Sequence, residues 1–324
     1  MSGNKRKQDL LWETRMSRRG FLVSSGVLGA GLGSLSAAET GDAKHPQDRD
    51  LKVGLALGAG GASGLAHIPM LETLDEMQIE PNVIAGSSIG TIMGVLYASG
   101  YSGSEMREIA LELFEADNGW LGGLWDRITS IGLLELLRPG LGEGGLLDAQ
   151  GVTDFIQDKI KVTRLEELQI PMKVVATDFW KREQVVFEAG EIVPAIKASM
   201  AVPGLFAPVS YQGRLLVDGA TVNPVPFDTI LKECDLSIAV DVSGSRAPDI
   251  DGRPSYLDTI FATFEIMQQA IMDEKLKRSA PDIYLRPDIV DVTLMQFGEV
   301  QNILEQAEPA REELKTRLSE LVAG

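Results

Sequence analysis

Residues 82–99, "NVIAGSSIGTIMGVLYAS", pass from a β-branched apolar run to a helix-period apolar run with only a short Gly-Ser-Ser step between them. A strand that turns into a helix this abruptly has to be covered on both sides. The flanking glycines, Gly86 and Gly90, fit a turn so sharp that strand and helix backbones come close. This one feature argues for an open sheet with helices packed on its faces. It also sets Ser88 at the turn inside Gly86-Ser87-Ser88-Ile89-Gly90, the G-x-S-x-G spacing that exposes a nucleophilic serine between a strand and a helix.

The rest of the chain repeats the alternation. Strands are expected at 52–57, 82–86, 172–178, 214–218, 236–242 and 282–286, with helices at 65–77, 89–99, 104–115, 150–160, 226–233 and 258–278. A last helix, 299–321, contains Pro309 and is expected to bend or break there. The pattern gives an α/β fold, a mostly parallel central sheet sandwiched by helices, in one domain over residues 51–324.

The N-terminus reads as an address. Basic residues lead to Arg18-Arg19-Gly20-Phe21-Leu22, a Gly-rich apolar stretch and the small-residue end Ser36-Ala37-Ala38. Residues 1–38 form a twin-arginine-type signal peptide with cleavage expected after Ala38, which implies the twin-arginine export machinery and a periplasmic destination. The alternative is an uncleaved N-terminal membrane tether. Residues 39–50 are a polar linker, and His45 within it is read as a solvated residue.

Composition removes several classes. The formal charge is −17, and because residues 1–38 carry +4 the remainder carries −21. Such an acidic body repels phosphate backbones, so nucleic acid is not expected as a partner, and any membrane contact has to be apolar and local. One cysteine and two histidines leave no disulfide framework and few metal designs, and neither a metal nor a cofactor is expected.

The remaining chemistry sits at strand ends. "GAGGASG", 58–64, follows a strand and precedes a helix. It lacks the third glycine of a dinucleotide fingerprint and the P-loop lysine, so a nucleotide-binding reading rests on this loop alone; a Gly-rich loop can equally present N–H donors to an oxyanion. "VDGA", 217–220, leaves Asp218 exposed at a strand tip, while Asp178 and Asp241 also end strands and read more like caps or packed turns. No histidine follows His67, which excludes the Ser–Asp/Glu–His order of an α/β-hydrolase. His67 itself reads as a brace for the glycine loop rather than a base. A carboxylate acting directly on the serine remains, its pKa raised by burial.

The glycine loop, the serine elbow and the Asp-Gly-Ala step, in that order and without a usable histidine, resemble the patatin-like phospholipase family. The blocks 55–76, 84–100, 195–209 and 215–226 carry the likeness, which extends over most of 51–310. The resemblance implies a serine lipid acyl hydrolase of phospholipase A, lysophospholipase or esterase type. It implies Ser88 as nucleophile, Asp218 as base, and backbone N–H groups of Gly60 and Gly61 as the oxyanion hole. The chain has Ser63 where that family usually carries a basic residue, and Ala59 where it has glycine or a small polar residue. A catalytically weak or inactive lipid-binding protein on the same fold is the alternative. Residues 119–147, with Trp120 and Trp125 among leucines and glycines, are either an acyl channel or lid in transient contact with a membrane surface, or an insertion packed on the sheet.

Overall fold

The computed structural model describes residues 51–114, 150–245 and 256–323, all within one compact unit. The expected signal peptide and linker, and the apolar segment 119–147, lie outside the described residues.

Eight strands form one mixed sheet: β1 (Val53–Leu57), β2 (Val83–Ser87), β3 (Met172–Asp178), β4 (Glu183–Phe187), β5 (Val209–Tyr211), β6 (Arg214–Asp218), β7 (Leu236–Val240) and β8 (Ile283–Leu285). The order is β5-β6-β3-β2-β1-β7-β8, with β4 paired to β3. Strands β3, β2, β1, β7 and β8 are joined in parallel, and β4, β5 and β6 are attached antiparallel. The expected mostly parallel sheet flanked by helices is observed.

Strands β1, β2, β3 and β7 are buried along their whole length, as a sheet covered on both faces requires. Their period-two alternation divides large from small side chains. Leu55, Leu57, Ile84, Ile238 and Val240 join the main core. That core includes residues of α1 (His67–Glu76), α2 (Ile89–Ala98), α3 (Gly103–Phe114), α4 (Gln150–Lys159) and α5 (Ile192–Ser199). On the opposite face Ala56, Ala85 and Ala239 meet Val225, Phe227, Ile230 and Met272, the last from α6 (Tyr256–Arg278). Alanines there let the covering chain lie close to the sheet.

Two expectations are corrected. Residues 226–233 are not a helix: only a 3-10 turn, Phe227–Thr229, forms. Phe227 and Ile230 are both fully buried, and a three-residue period satisfies that spacing in a single turn. The chain also continues as one helix through Pro309, α7 (Val300–Ala323), so of the expected bend or break the break does not occur. The missing hydrogen bond and ring clash cost about 3 kcal/mol. Val300, Ile303, Leu304 and Ala307 before the proline and Ala310, Leu314 and Leu318 after it are all buried, and their transfer from water exceeds that cost. Two short strands, β4 and β5, add to those expected from the sequence.

Candidate active site

β3 has three partners and only two edges. It pairs β2 through residues 172–175, β6 through 176–178 and β4 through 174–178. The overlaps put β4 alone on one edge and place β2 and β6 end to end on the other. Ser87 opposes Val175 and Asp218 opposes Ala176, so the last residues of β2 and β6 meet across neighbouring positions of β3. The Gly219 Cα lies in the same junction, since a Cβ there would be 2.7 Å from Ser87 Oγ. Ser88 and Asp218, separated by 130 positions in sequence, are thereby brought to one point.

Ser88 sits at φ 53°, ψ −124°, immediately before α2. A non-glycine residue in that region is strained, and such strain persists only where the surroundings hold it. Ser199, the last residue of α5, holds it. Its hydroxyl donates to the Val175 carbonyl (2.6 Å), accepts from the Ser88 N–H (3.1 Å), and lies 2.8 Å from Thr91 Oγ1. Ser199 thus ties the elbow to β3 and to the helix that follows. Sequence reasoning covers the block around it but gives it no role, because its partners are 108 and 111 positions away. Ser199→Ala removes an acceptor for a buried N–H, so it should lower stability by about 1–3 kcal/mol. Chemical denaturation tests this; an unchanged midpoint would show that Ser199 does not hold the elbow.

Asp218 is buried. Its Oδ1 accepts from Ala220 N–H at 2.7 Å, capping a 3-10 turn. Burial raises its pKa from 3.8 to about 7, while the nearby Ser88 hydroxyl and the Ala220 N–H pull it back down. The serine is near enough to favour the charged carboxylate, yet no hydrogen bond of ordinary geometry is closed between them, and Oδ2 has no partner among the described residues. The geometry makes Oδ2 the oxygen free to accept a proton. The Asp218 N–H is fixed by Ala201 O and its carbonyl by Thr177 Oγ1.

The other strand-end acids are occupied. Asp178 Oδ1 accepts from the Trp180 and Lys181 N–H groups, and Asp241 accepts from Ser243 N–H and the Tyr284 hydroxyl. His67 is fully buried and donates Nε2–H to the Gly58 carbonyl at 2.9 Å. Burial lowers its pKa to about 4, so it stays neutral at pH 7. It lines neither of the recesses at Ser88.

In the glycine loop, Gly58 N–H bonds Val240 O, Ala59 N–H bonds Pro224 O and Ala62 N–H bonds Leu294 O. Among the described residues the N–H groups of Gly60 and Gly61 donate to no backbone carbonyl, and both residues line the cleft that contains Ser88 and Asp218. Ser63 is buried in the 3-10 turn that follows, packed against Gly244. A long basic side chain would not fit there without displacing that contact.

Ser88 stands between two recesses. One, about 130 Å³, is bounded by hydrocarbon side chains that include Ile92, Met93, Ile109, Phe114, Phe155 and Phe206. The other, about 50 Å³, holds Gly60, Gly61 and Asp218 and is bordered by Thr221, Ser243, Glu265 and Gln268 together with Val202, Phe261, Phe264 and Leu294. Among the described residues no cluster of histidine, cysteine, aspartate or glutamate is arranged to hold a metal ion.

A profile described as Patatin-like phospholipase matches residues 55–231, which include the glycine loop, the elbow and Asp218. The chain is 35% identical over 233 residues to an uncharacterized NTE family protein of Mycobacterium tuberculosis, covering 71% of this chain and 60% of that one. It is 26% identical over 278 residues to patatin-like phospholipase domain-containing protein 7 of Mus musculus, covering 78% and 20%. With lysophospholipase NTE1 of Kluyveromyces lactis it shares 26% identity over 284 residues, covering 78% and 18%. The chain therefore spans about 60% or less of the length of these curated relatives. Among solved structures, VipD from Legionella pneumophila is similar at 14% identity with a TM-score of 0.42, covering 82% of this chain and 67% of that one. Since the matched profile spans more than half of the sequence, the chain belongs to the patatin-like phospholipase family.

Proposed function

We propose that the protein hydrolyses acyl esters of lipids through a Ser88–Asp218 dyad. The observation that carries this is the end-to-end meeting of β2 and β6 on β3, which brings a strained serine to a buried carboxylate with one oxygen unpartnered. Ser88 Oγ attacks the ester carbonyl carbon and its proton passes to Asp218 Oδ2. The negative charge that develops on the carbonyl oxygen accepts hydrogen bonds from the Gly60 and Gly61 N–H groups. Each such donor is worth roughly 2.7–4 kcal/mol of transition-state stabilisation. Collapse returns the proton to the departing alcohol, and water, deprotonated by the same carboxylate, then releases the acid from Ser88.

The recesses suit the two halves of such a substrate. The hydrocarbon-lined one takes the acyl chain, and the smaller, with Thr221, Ser243, Glu265 and Gln268 at its border, takes the polar alcohol. The names of its relatives, lysophospholipase and patatin-like phospholipase, support a phospholipid or lysophospholipid class. The test is hydrolysis of p-nitrophenyl esters of increasing acyl length by the full chain, beside Ser88→Ala. Activity that rises with chain length and vanishes in Ser88→Ala is expected. A folded protein inactive on these esters and on lysophospholipid would favour lipid binding without catalysis.

We further propose that residues 1–38 direct export through the twin-arginine route, with 39–50 as linker, placing the enzyme in a bacterial periplasm. The Arg18-Arg19 pair ahead of an apolar stretch supports this. Changing both arginines to lysine should leave uncleaved chain in the cytoplasmic fraction; normal processing of that variant would reject the route.

A further inference from the structure

β3 runs beyond the level of the site. Ser87 lies opposite Val175, and the strand continues three residues to Asp178, about 10 Å further along its axis. The turn into β4, Phe179–Arg182, therefore projects at the end of the sheet where Ser88 opens.

That turn exposes its aromatic groups. Trp180 is 73% exposed and Phe179 46%, the two rings set edge to face at 4.9 Å. Nor is it loosely held. Asp178 Oδ1 accepts from the N–H groups of Trp180 (3.1 Å) and Lys181 (2.9 Å), and Asp178 O accepts from Arg182 N–H at 2.8 Å. Phe179 N–H bonds Leu215 O on β6. Backbone and carboxylate together fix a tip that holds an indole in water. Next to the indole stand Lys181 and Arg182, both exposed, consecutive cations on a chain whose body carries −21. Lys181 is 3.7 Å from the exposed Glu183, a separation at which water weakens the pair.

We propose that this turn seats the protein on the surface of a zwitterionic phospholipid aggregate. The proposal rests on the lipid-hydrolase reading. Indole rings favour the boundary between headgroups and acyl chains, where the ring is apolar and its N–H is wet. Cations beside it meet lipid phosphates at short range. The acidic body opposes approach to an anionic surface, which selects zwitterionic lipid. Seated on its tip, the molecule turns the Ser88 end of the sheet toward its substrate.

The test uses full-length chain carrying Ser88→Ala, so that lipid is not consumed, with vesicles of brominated phosphatidylcholine. Four tryptophans are present, so the fluorescence lost between the parent and Trp180→Phe isolates residue 180. That component should be quenched by bromine. A Phe179→Ala/Trp180→Ala pair should lower vesicle partitioning about tenfold. With Ser88 restored, the pair should hydrolyse vesicle phosphatidylcholine about tenfold more slowly and a monomeric short-chain ester at the parent rate.

An unquenched Trp180 would overturn the proposal, including where residues 20–38 alone hold the chain on vesicles. So would equal losses on vesicle and monomeric substrates, which mark a structural role. A change of mass by light scattering without lipid would assign the turn to a protein interface instead. If the parent hydrolyses no ester at all, the catalytic reading fails while the quenching result still decides the docking.

Discussion

With Asp218 as the proposed base, Asp218→Asn should slow ester hydrolysis by a factor of about 100 or more and leave a protein more stable than its parent at pH 8. Asparagine keeps the shape of the side chain and an oxygen for the Ala220 N–H, but cannot take the proton of Ser88. Loss of a general base of this kind costs about 10²–10⁴ in rate. The stability change follows from the same burial. The folded-state pKa of Asp218 is about 7, against 3.8 for the ordinary group. The folded protein therefore binds this proton more tightly than the unfolded chain, and stability falls as pH rises from about 4 to about 7. Asparagine does not titrate, so the advantage of the variant opens across that window and levels off above it. It should reach a few kcal/mol, since each tenfold difference in proton affinity is worth about 1.4 kcal/mol. Thermal melts of both proteins at pH 4 and pH 8, beside single-substrate kinetics, measure the two effects. Parallel melts at both pH values would show that the carboxylate is not charged at the expense of the fold.

The same burial sets the rate profile of the parent. In the proposed mechanism the base works deprotonated, so kcat/KM should be low at pH 5, climb through about pH 7 and stay high to pH 9. A neutral His67, pKa about 4, contributes nothing to that limb. A profile flat between pH 5 and 8 would separate Asp218 from proton transfer.

The pieces of the candidate site are legible in sequence because each is local. Gly86-Ser87-Ser88-Ile89-Gly90 announces its own turn, and Val217-Asp218-Gly219 announces a strand end. What joins them is not local. Register along β3 decides that Ser87 and Asp218 fall opposite consecutive residues, and no periodicity in either segment records a shared neighbour. Ser199 escapes for the same reason. β4 and β5 are hidden because their alternation is incomplete: "EQVVF" opens on two exposed polar residues, and "VSY" is three residues without a fully buried one. At Pro309 a local rule is overridden by burial on both sides, since propensity is a weak prior where tertiary contacts are extensive. Residues 119–147, read from sequence as an acyl channel or lid or as an insertion packed on the sheet, lie outside the described residues; the described apolar recess is formed from α2, α3, α4 and the chain after α5, helices whose inward faces read simply as core.

The largest structural effect is expected at Gly90. Helix α2 lies so close to the end of β1 that a Cβ on Gly90 would lie 2.1 Å from the Leu57 carbonyl oxygen and 2.7 Å from that of Gly58. Both obstacles are backbone. Leu57 is held in register with Gly86 on one side and Val240 on the other, so neither can withdraw without opening the central ladder. On the opposite side a Cβ on Gly86 would meet Gly90 O at 2.6 Å. Gly90→Ala should thus cost about 4 kcal/mol or more, well above the usual effect of a single methyl group. Ser88→Gly, two residues away, has the opposite sign. It releases the strain of φ 53° and should gain about 1 kcal/mol while removing the nucleophile. Urea unfolding of the two variants reads both numbers. A Gly90→Ala protein as stable as the parent would mean that the elbow can open, and that the close approach of strand and helix is not what forces the serine into its strained conformation.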